Sequence, residues 1–382
     1  MISKIEKMSC NRNHWDSLSE SGNILSKEGR PKLRTMLVSP LPPPSGGIAS
    51  WTVKYIEYCK KKRMPIYVVN TALIGKRVTT NQYRMVEEIR RSMHIWAEIR
   101  KGIRCFKPSI VHFNTNCSPR GVIRDAISAM IIHKKKVPFI VHCRCNIRDQ
   151  IGNNLIARFF LGTLLKKASV VLVCNSDSER YVNEAVDVRV EFLPNFVNEA
   201  YIIEKKEISE KINRIVYVGH VRESKGIEEI IEIASRFKEI VFYLMGQVME
   251  GYEEKIAKGA PKNIVLLGDR SGKEVAELLD SCDLLLFPSH TEGFSNTVLE
   301  SMARGLPIVA TRVGANERMI GNKGGILTDI KDINAMVVAI KKMDSPSVRR
   351  AMSSFNLEKT RNEYTTDIVM RKLFGIYTSA VG

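Results

Sequence analysis

Two glutamates eight residues apart flank a predicted helix start in the second half of the chain. Glu292 lies in the polar loop Pro288–Phe294, and Glu300 lies inside the helix that is predicted to begin near Ser295. Ser295 is a good N-cap residue, because its hydroxyl can accept from the free amides of the first turn. That helix end carries unpaired N–H groups and the positive end of the helix dipole, which favour phosphate. The pattern indicates a nucleotide site, with two carboxylates available for a ribose and a sugar.

The residues around these glutamates form a longer pattern, PSHTEGFSNTVLESMARGLPIVAT. It closely resembles the donor-site signature of retaining, nucleotide-sugar glycosyltransferases of family 4, which have the GT-B fold. The resemblance implies that Glu292 approaches the donor sugar hydroxyls as the catalytic carboxylate and that Glu300 holds the ribose. Gly293 lacks a Cβ and lets the backbone approach the donor. The donor phosphates are expected at the helix start, formed by Phe294, Ser295, Asn296 and Thr297.

A second basic element is VGHVRESKG, at 218–226. It resembles the family's GRLxxxKG element, whose arginine and lysine hold the donor phosphates, so Lys225 is expected to bind phosphate. His220 stands at the arginine position of that element. A neutral imidazole can still donate to phosphate, and the imidazolium binds it better. Arg222, two residues further on, is the other possible source of the missing charge.

Two more candidates lie in the first half of the chain. PLPPPSGG, at 40–47, follows the first predicted strand, and the resemblance places Gly47 in a glycine-rich loop near the donor phosphates. PFIVHCRCN, at 138–146, ends a later strand where the family commonly has a histidine near the transferred sugar. His142 and Arg144 are both candidates for this catalytic position, and strand alternation places them on one face. A histidine that is hydrogen-bonded in the core explains His142 equally well.

Short apolar segments alternate with helical patterns along the whole chain, which predicts an α/β fold of parallel, doubly wound sheets. With the resemblance, this implies the GT-B architecture: two Rossmann-like domains facing a cleft and a C-terminal helix, Arg361 to Tyr377, that crosses back to the first domain. We expect a polar leader at 1–30, disordered or loosely attached, an acceptor domain at 31–200, a donor domain at 201–360 and the terminal helix at 361–382. The polar run Glu204–Lys211 is the predicted linker. The predicted strands are Thr35–Ser39, Ile66–Asn70, Ile110–Phe113, Phe139–His142, Val170–Val173, Val190–Leu193, Ile215–Gly219, Val241–Met245, Ile264–Leu267, Leu284–Phe287, Ile308–Thr311 and Gly325–Leu327.

Charge divides the 382 residues unevenly. The chain carries +18 in total; residues 31–200 hold 28 Lys and Arg against 12 Asp and Glu, whereas residues 201–382 hold 26 against 25. The basic half favours anionic partners such as nucleic acid, anionic lipid or phosphorylated substrates. Two predicted helices there, Gln82–Phe106 and Asn154–Lys167, combine apolar and cationic stripes that suit an anionic membrane surface. A solvated charged face over an ordinary core is the simpler reading of either helix alone. The cations are Arg84, Arg90, Arg91, Arg100, Lys101, Arg104, Arg158, Lys166 and Lys167.

Several classes of protein do not fit the sequence. The first thirty residues contain no apolar h-region, and no apolar run approaches the ~20 residues that span a bilayer. The eight cysteines are scattered, and the Cys143–Cys145 pair has no partner pair at zinc-site spacing, so we expect reduced thiols and no structural zinc. No DxD metal-binding motif is present, which agrees with the metal-independent catalysis that the resemblance implies. We therefore expect no cofactor, no metal and a cytoplasmic location, with contact to the inner face of the cytoplasmic membrane.

The resemblance implies a retaining, hexosyl-type transferase that moves a sugar from a nucleotide-sugar donor to a saccharide acceptor. A polyprenyl-diphosphate-linked acceptor would account for the charge and the apolar stripes, and would connect the enzyme to capsule or lipopolysaccharide assembly. A GT-B nucleotide-sugar epimerase or hydrolase is the alternative with the same substrates. A basic nucleic-acid binder is a third possibility, but no helix-turn-helix, zinc-finger or RNP-like pattern is present, so no nucleic-acid partner is expected.

Overall fold

The structure is a computed structural model that describes residues 33–43, 46–72 and 85–382. The predicted leader at 1–30 and the candidate cation Arg84 lie outside the described residues. The chain divides into two compact units. The first unit contains the described residues up to Val173, together with Glu179–Glu191 and Phe374–Gly382. The second unit contains Cys174–Ser178 and Phe192–Leu373.

The first unit is a six-stranded parallel sheet with the strand order β2-β1-β3-β4-β5-β6. Its strands are almost entirely buried, as expected for a parallel sheet that has helices on its faces. Its elements, numbered in chain order, are β1 (Thr35–Ser39), α1 (Gly47–Lys61), β2 (Ile66–Asn70), α2 (Met85–Phe106), β3 (Ile110–Thr115), α3 (Pro119–Lys134), β4 (Phe139–Cys143), α4 (Ile147–Ile151), α5 (Leu155–Lys166), β5 (Val170–Val173), α6 (Ser176–Ala185) and β6 (Val190–Phe192).

The second unit is also a six-stranded parallel sheet, with the strand order β12-β11-β10-β7-β8-β9. Its elements are β7 (Arg214–Val218), α7 (Ile227–Arg236), β8 (Val241–Met245), α8 (Tyr252–Gly259), β9 (Ile264–Gly268), α9 (Gly272–Ser281), β10 (Leu284–Phe287), α10 (Asn296–Ala303), β11 (Ile308–Thr311), α11 (Asn316–Ile320), β12 (Gly325–Thr328), α12 (Ile333–Lys342), α13 (Pro346–Glu363) and α14 (Thr366–Val381). The two sheets together confirm the predicted α/β class, and an observed strand overlaps each of the twelve predicted segments.

Each sheet has one switch point, where the chain reverses the direction in which strands are added. In the second unit the switch point lies between β7 and β10, which pair in parallel. In the first unit it lies between β1 and β3. Ligands of open α/β sheets bind beyond the carboxyl ends of the strands at such a point. The loops that follow β7 and β10 hold Lys225 and Glu292, so the fold brings these two predicted residues to one edge.

The prediction of one terminal helix from Arg361 to Tyr377 is wrong in its first part. Helix α13 ends at Glu363, and α14 begins at Thr366. Between them the backbone pairs with Val197, whose N–H donates to the Tyr364 carbonyl at 2.9 Å and whose carbonyl accepts from Thr366 N–H at 3.0 Å. These bonds satisfy the backbone in an extended conformation and interrupt the helix.

The end of α14 belongs to the first unit, which confirms the predicted return of the terminal helix to that domain. Tyr377 is fully buried there, with its hydroxyl 2.6 Å from Nδ1 of His112 and 3.3 Å from the Tyr55 hydroxyl. Tyr55 and Tyr377 also pack near Phe374, whose ring centroid lies 6.2 Å from that of Tyr55 and 5.2 Å from that of Tyr377. The last turns of α14 therefore complete the core of the first unit.

The polar run Glu204–Lys211 is not a linker. The second unit already begins at Phe192, and Lys206 is buried inside it. The Lys206 ammonium donates to the carbonyls of Leu279 and Asp280 at the end of α9, at 3.1 and 2.8 Å. A cation at a helix C-terminus interacts favourably with the helix dipole, and burial lowers the pKa of this lysine.

In the portions of the chain that the structure covers, every helix is either too short or too polar to cross a lipid bilayer.

Candidate functional site

Glu292 lies in the loop after β10, and two side chains hold its carboxylate in place. The Lys225 ammonium is 2.5 Å from Oε1 of Glu292, and the Ser289 hydroxyl donates to the same oxygen at 2.9 Å. The side chains of Lys225 and Glu292 are 18% and 13% exposed, so the ion pair is partly desolvated while still open to a ligand. Within the described chain, Oε2 of Glu292 has no hydrogen-bond partner, which leaves it available for a sugar hydroxyl.

Two glycines let the surrounding loops approach this pair closely. Gly226 has a φ of 76°, and a Cβ there would lie 2.2 Å from the Pro288 carbonyl oxygen. Gly314, in the loop after β11, has a φ of 56°, and its Cβ would lie 2.5 Å from the Glu292 carbonyl oxygen. Both positions combine a left-handed backbone with a contact that a side chain would block. The loops after β7, β10 and β11 are thereby packed together at one edge of the sheet.

Helix α10 begins at Asn296, as predicted, and Ser295 is its N-cap. The Ser295 hydroxyl accepts from Val298 N–H at 3.2 Å, while the other amides of the first helical turn have no partner within the helix. Thr297 fixes the helix start to the neighbouring strand, because its hydroxyl donates to the Val218 carbonyl at 3.0 Å. The helix start, with its free amides and the positive end of its dipole, therefore directly follows the loop that contains Glu292.

Asn195 is a positioning residue that the sequence analysis missed. Its side-chain amide donates to the Phe294 carbonyl at 3.3 Å and to Oδ1 of Asn296 at 2.7 Å, and so holds the two residues that flank the N-cap. Phe294 itself is buried, and its ring packs edge-on against Tyr364. Asn195 lies in the segment LPNFVN, at 193–198, close to the start of the second unit at Phe192.

The segment after β7 places three cationic or ionisable side chains near one another. His220 and Arg222 are exposed, and Lys225 is half-buried at the end of the short 3-10 turn Glu223–Lys225. Partial burial lowers the pKa of His220, and the positive charges of Arg222 and Lys225 lower it further. The mutual repulsion of these groups is relieved when an anion binds among them. Both possible replacements for the family's arginine, His220 and Arg222, thus belong to the same cluster.

Glu300 lies on the next turn of α10, beside Tyr201. Burial raises the pKa of Tyr201, and the negative charge of Glu300 raises it further. The guanidinium of Arg304 covers the Tyr201 ring at 5.3 Å and donates to the Tyr201 carbonyl at 2.8 Å. The buried Tyr201 hydroxyl has no hydrogen-bond partner in the described parts of the chain. Glu300 therefore lies next to an aromatic side chain with an unsatisfied hydroxyl, a setting that suits a polar ring such as ribose.

In the first unit, His142 and Arg144 are in contact, as alternation along β4 predicts. NH1 of Arg144 is 3.3 Å from Nε2 of His142, and the Arg144 guanidinium lies 4.9 Å from the centre of the Trp51 ring. His142 has no exposed surface, whereas Arg144 is half-buried. Arg144 is therefore the member of the pair that a ligand can reach without rearrangement.

His142 belongs to a buried polar chain that runs through the first unit. Its Nδ1 is 3.3 Å from Nε2 of His112, and the two rings lie 5.3 Å apart. His112 also contacts the Tyr377 hydroxyl and, at 3.2 Å, the Asn114 side chain. Burial lowers the pKa of His112 to about 3 and lowers that of His142 well below its ordinary value. Both rings are therefore neutral at pH 7, and the alternative of a hydrogen-bonded core histidine describes the surroundings of His142.

Gly47 is the first residue of α1 and is exposed, directly after the loop that follows β1. Asn114 reaches the end of the same strand, because its side-chain amide donates to the Ser39 hydroxyl at 2.9 Å. Ser39 and Thr52 are linked by a 2.6 Å hydroxyl contact that ties β1 to α1. The switch point of the first unit thus carries Gly47, with Asn114 and Ser39 behind it. His112 and Asn114 were not selected from the sequence, although both lie in a strand that runs into this edge.

Among the residues that the structure describes, no group of three or more His, Cys, Asp or Glu side chains is arranged to hold a metal ion.

Two Rossmann-like units, with an N-capped helix, a lysine and a glutamate at the switch point of the second, give the chain the fold of the GT-B glycosyltransferases. Residues 212–344 match the family model described as Glycosyl transferases group 1. The match covers the strands and loops from β7 to α12, and so includes Lys225, Glu292 and Glu300.

Curated relatives and solved structures agree with this assignment. The capsular polysaccharide biosynthesis glycosyltransferase CapM of Staphylococcus aureus is 20% identical over 362 residues, which cover 85% of this chain and 92% of CapM. The Escherichia coli UDP-Gal:alpha-D-GlcNAc-diphosphoundecaprenol alpha-1,3-galactosyltransferase is 26% identical over 240 residues, covering 56% of this chain and 62% of that enzyme. The structure of sucrose-phosphate synthase from Thermosynechococcus elongatus has the same fold, with a TM-score of 0.74 at 15% identity over 91% of this chain and 99% of that one.

Proposed function

We propose that this glycosyltransferase moves a hexose from a nucleotide-sugar donor, with retention of anomeric configuration, to a lipid-linked saccharide during assembly of a bacterial surface polysaccharide. The second unit would bind the donor, and the first unit would bind the acceptor. Membership of family 4 within this fold is part of the proposal.

The observation that carries the proposal is the Lys225–Glu292 pair. These residues are far apart in the sequence, yet their charged atoms are 2.5 Å apart at the switch point and lie beside the free amides of α10. An anion that binds there meets the lysine and the helix dipole, while the carboxylate stays within reach of the attached sugar. The lysine and the helix N-terminus suit a diphosphate, and the carboxylate suits the hydroxyls of the monosaccharide attached to it.

Glycosyl transfer builds positive charge at the anomeric carbon and negative charge on the departing diphosphate. Lys225 and the α10 amides are oriented before the reaction and would stabilise the diphosphate without reorganisation. His220 and Arg222 would add charge at the outer phosphate. In this proposal no metal ion is required, and activity should survive chelation of divalent ions by EDTA.

Glu292 would position the donor and stabilise its positive charge. The carboxylate is held through Oε1 by Lys225 and Ser289, so Oε2 is the atom that we assign to the sugar hydroxyls. Glu300 would bind the ribose beside Tyr201. In the first unit, Arg144 would contact the acceptor or the transferred sugar, and His142 would hold the guanidinium in position together with Trp51.

Two observations support a lipid-linked acceptor. Residues 31–200 carry 28 Lys and Arg against 12 Asp and Glu, which favours a phosphorylated acceptor over a neutral one. The E. coli relative is named for an acceptor on diphosphoundecaprenol, and CapM is named for capsule biosynthesis. Both matches extend outside residues 212–344, because they cover 85% and 56% of this chain.

The decisive experiment removes each charge of the donor pair without changing its size. Lys225→Met and Glu292→Gln should each lower turnover by about 10²- to 10³-fold, the cost typical of a lost charge-stabilising group. Thermal shifts with UDP-, GDP- and ADP-sugars would identify the donor, because a ligand that binds the folded state raises its apparent stability. Lys225→Met should abolish the shift with that donor.

The chain contains a matched control pair. Lys273 and Glu277 form an exposed ion pair at 3.7 Å in the same unit, on α9, which follows the edge strand β9. Lys273→Met and Glu277→Gln should keep near wild-type turnover and the full thermal shift. Equal losses in both pairs would show a general effect on the fold and remove the assigned roles.

A product assay without acceptor separates transfer from the alternative activity. A nucleotide-sugar epimerase or hydrolase would convert the donor when no acceptor is present. The proposed transferase should release the nucleotide at an appreciable rate only after acceptor is added. Product analysis by NMR would then show whether the new linkage keeps the anomeric configuration of the donor.

A further inference from the structure

The first unit exposes large apolar side chains on two of its helices. They include Val86, Ile89 and Met93 on α2 and Leu155, Ile156 and Phe159 on α5, each between 54% and 78% exposed. We refer to these six residues as the apolar surface. In the second unit the exposed large apolar side chains Val265, Val338 and Val348 each lie on a different element, and Ile330 lies in the loop between β12 and α12. Isolated apolar residues are ordinary on protein surfaces, whereas a concentration on two helices indicates an interaction site.

Cations accompany the apolar surface, and carboxylates are absent from it. On α2 the exposed side includes Arg90, Arg100 and Arg104, and no exposed residue of that helix is acidic. Its three glutamates are half-buried: Glu88 is 2.8 Å from Arg91, Glu98 accepts from the Tyr67 hydroxyl at 2.9 Å, and one carboxylate oxygen of Glu87 is buried. Helix α5 contains no acidic residue at all.

The two helices belong to one layer, because α3 packs against both α2 and α5. The exposed residues of α3 are Arg120, His133 and Lys134, so the helix between them adds positive charge and no negative charge. Helices α1 and α6 of the same unit, in contrast, expose Glu57 and Glu184. The absence of exposed carboxylates is therefore specific to the layer α2–α3–α5 and does not follow from composition alone.

The six apolar residues also lie near the N-terminal ends of α2 and α5. A helix that follows a parallel strand begins at the carboxyl end of that strand, where ligands bind. Val86, Ile89 and Met93 occupy the first turns of α2, and Leu155, Ile156 and Phe159 occupy the first turns of α5. The apolar side chains thus lie at the same edge of the first sheet as Gly47 and Arg144.

We propose that the apolar surface docks this unit on a lipid bilayer that contains anionic phospholipid. Aliphatic and phenyl side chains enter the boundary between headgroups and acyl chains, and Arg90, Arg100 and Arg158 meet the lipid phosphates. The docked edge is the one that carries Arg144, which brings the assigned acceptor contact to the membrane surface. The docking itself is independent of the proposed function, because it rests on exposure and charge.

Two other occupants fit the surface less well. In a symmetric contact with a second copy of this chain, the arginines of one copy would face those of the other, and like charges oppose each other. RNA would satisfy the arginines, but it would leave exposed leucine, isoleucine and methionine without partners, since RNA recognition relies on aromatic stacking and polar contacts. A bilayer with anionic headgroups satisfies both parts of the surface.

The test is flotation of the full-length protein with vesicles of phosphatidylcholine, alone or mixed with phosphatidylglycerol. The wild-type protein should float with the mixed vesicles and remain largely unbound with the neutral ones. The paired variant Leu155→Ser with Phe159→Ser should lower binding at least about tenfold, because the variant loses the burial of two apolar side chains in the bilayer. Arg90→Gln with Arg100→Gln should lower it by about tenfold or more, and added salt should weaken wild-type binding.

Matched controls come from the second unit. Val338→Ser removes an exposed apolar side chain from α12, and Lys341→Gln with Lys342→Gln removes two exposed cations from the same helix. These variants should float like the wild type. All the substituted side chains are exposed, so circular dichroism and thermal unfolding should show intact folds.

Three outcomes would overturn the proposal. Equal recovery with neutral and anionic vesicles would exclude the charge-dependent docking, and equal losses in the control variants would exclude the assigned surface. A dimer in light scattering that the Leu155→Ser, Phe159→Ser variant dissociates would assign the surface to a second copy. Transfer to a short-chain, water-soluble acceptor should stay unchanged in the surface variants, so a failure of docking is distinguishable from a failure of the proposed function.

Discussion

The two units have the same six-stranded parallel architecture, yet the ionisable residues near their switch points are placed in opposite ways. The second unit keeps its charged pair, Lys225 and Glu292, in loops where both side chains are partly open to solvent. The first unit buries His112 and His142 completely and in neutral form, and it keeps its cations on the outside. One unit therefore presents charge that a ligand can engage directly, while the other uses polar groups to shape its interior.

The difference follows from what burial does to ionisable groups. A fully buried imidazole loses its charged form, so it can act only as a neutral hydrogen-bonding partner. A partly exposed ammonium and carboxylate can give up their contact with each other for contacts with a ligand. In the first unit, Arg144, half-buried above Trp51, is the cation beside the buried histidines that a ligand can reach. In the proposed function, donor binding therefore belongs to the second unit, and Arg144 is the cationic contact of the first.

The largest expected effect tests this division of labour. Arg144→Gln should lower the rate of sugar transfer by about 10²-fold, because the acceptor side loses its one accessible charged contact near His142. Donor affinity, measured by calorimetry, should remain that of the wild type, since the donor loops lie in the other unit. Arg144→Lys should recover part of the rate. A parallel loss of donor affinity in Arg144→Gln would contradict separate roles for the units.

A smaller effect probes how tightly the second unit packs its donor loops. Gly314→Ala should reduce the free energy of unfolding by about 2 kcal/mol or more, because the residue is left-handed and its Cβ would meet the Glu292 carbonyl. Donor affinity should fall with it, as the loop that holds Glu292 moves. Gly251→Ala is the matched control, since Gly251 is also left-handed but has open space around its Cβ position. It should cost about 1 kcal/mol and leave donor affinity unchanged.

The smallest effect concerns acid stability of the first unit. His112 and His142 have lowered pKa values in the folded state, so between about pH 6.5 and pH 3 the unfolded chain binds more protons and stability falls as the pH falls. Each histidine should contribute a slope of about 1.4 kcal/mol per pH unit. His112→Gln should remove one such contribution, and Trp51 fluorescence can follow the unfolding.

The His112→Gln protein should also be less stable at pH 7, because the Tyr377 hydroxyl loses its partner. An unchanged slope in His112→Gln would mean that this ring is accessible to protons in the folded protein.

Much of the fold could be predicted because its signals are local. Each strand is a short apolar run, and the start of α10 follows from the capping preference of Ser295, which the hydrogen bond to Val298 confirms. The motifs around Lys225 and Glu292 predicted that both residues belong to the site. Their contact depends on the order of the strands in the sheet, which places β7 beside β10. No single segment of the sequence contains that order, so only the structure shows the contact.

The missed features depend on contacts between distant segments. Tyr364 and Thr365 have no helix-breaking residue nearby, and only their pairing with Val197 interrupts the terminal helix. The sequence around Lys206 predicts a solvated linker residue, whereas in the structure its ammonium donates to two carbonyls at the end of α9. Asn195 lies near the start of the second unit, and its amide holds the start of α10, about a hundred residues away in the sequence. In each case at least one partner is a backbone carbonyl or amide of a distant segment, and a backbone group can belong to any residue type.

The return of the chain's last turns to the first unit has a consequence for how the protein is made. Tyr377 fills the interior beside Tyr55 and His112, but a ribosome synthesises it only after the entire second unit. The nascent first unit therefore keeps an unfilled gap in its interior until the second unit has been synthesised. Synthesis of the second unit, not emergence of the first sheet, sets the moment at which the first unit can close.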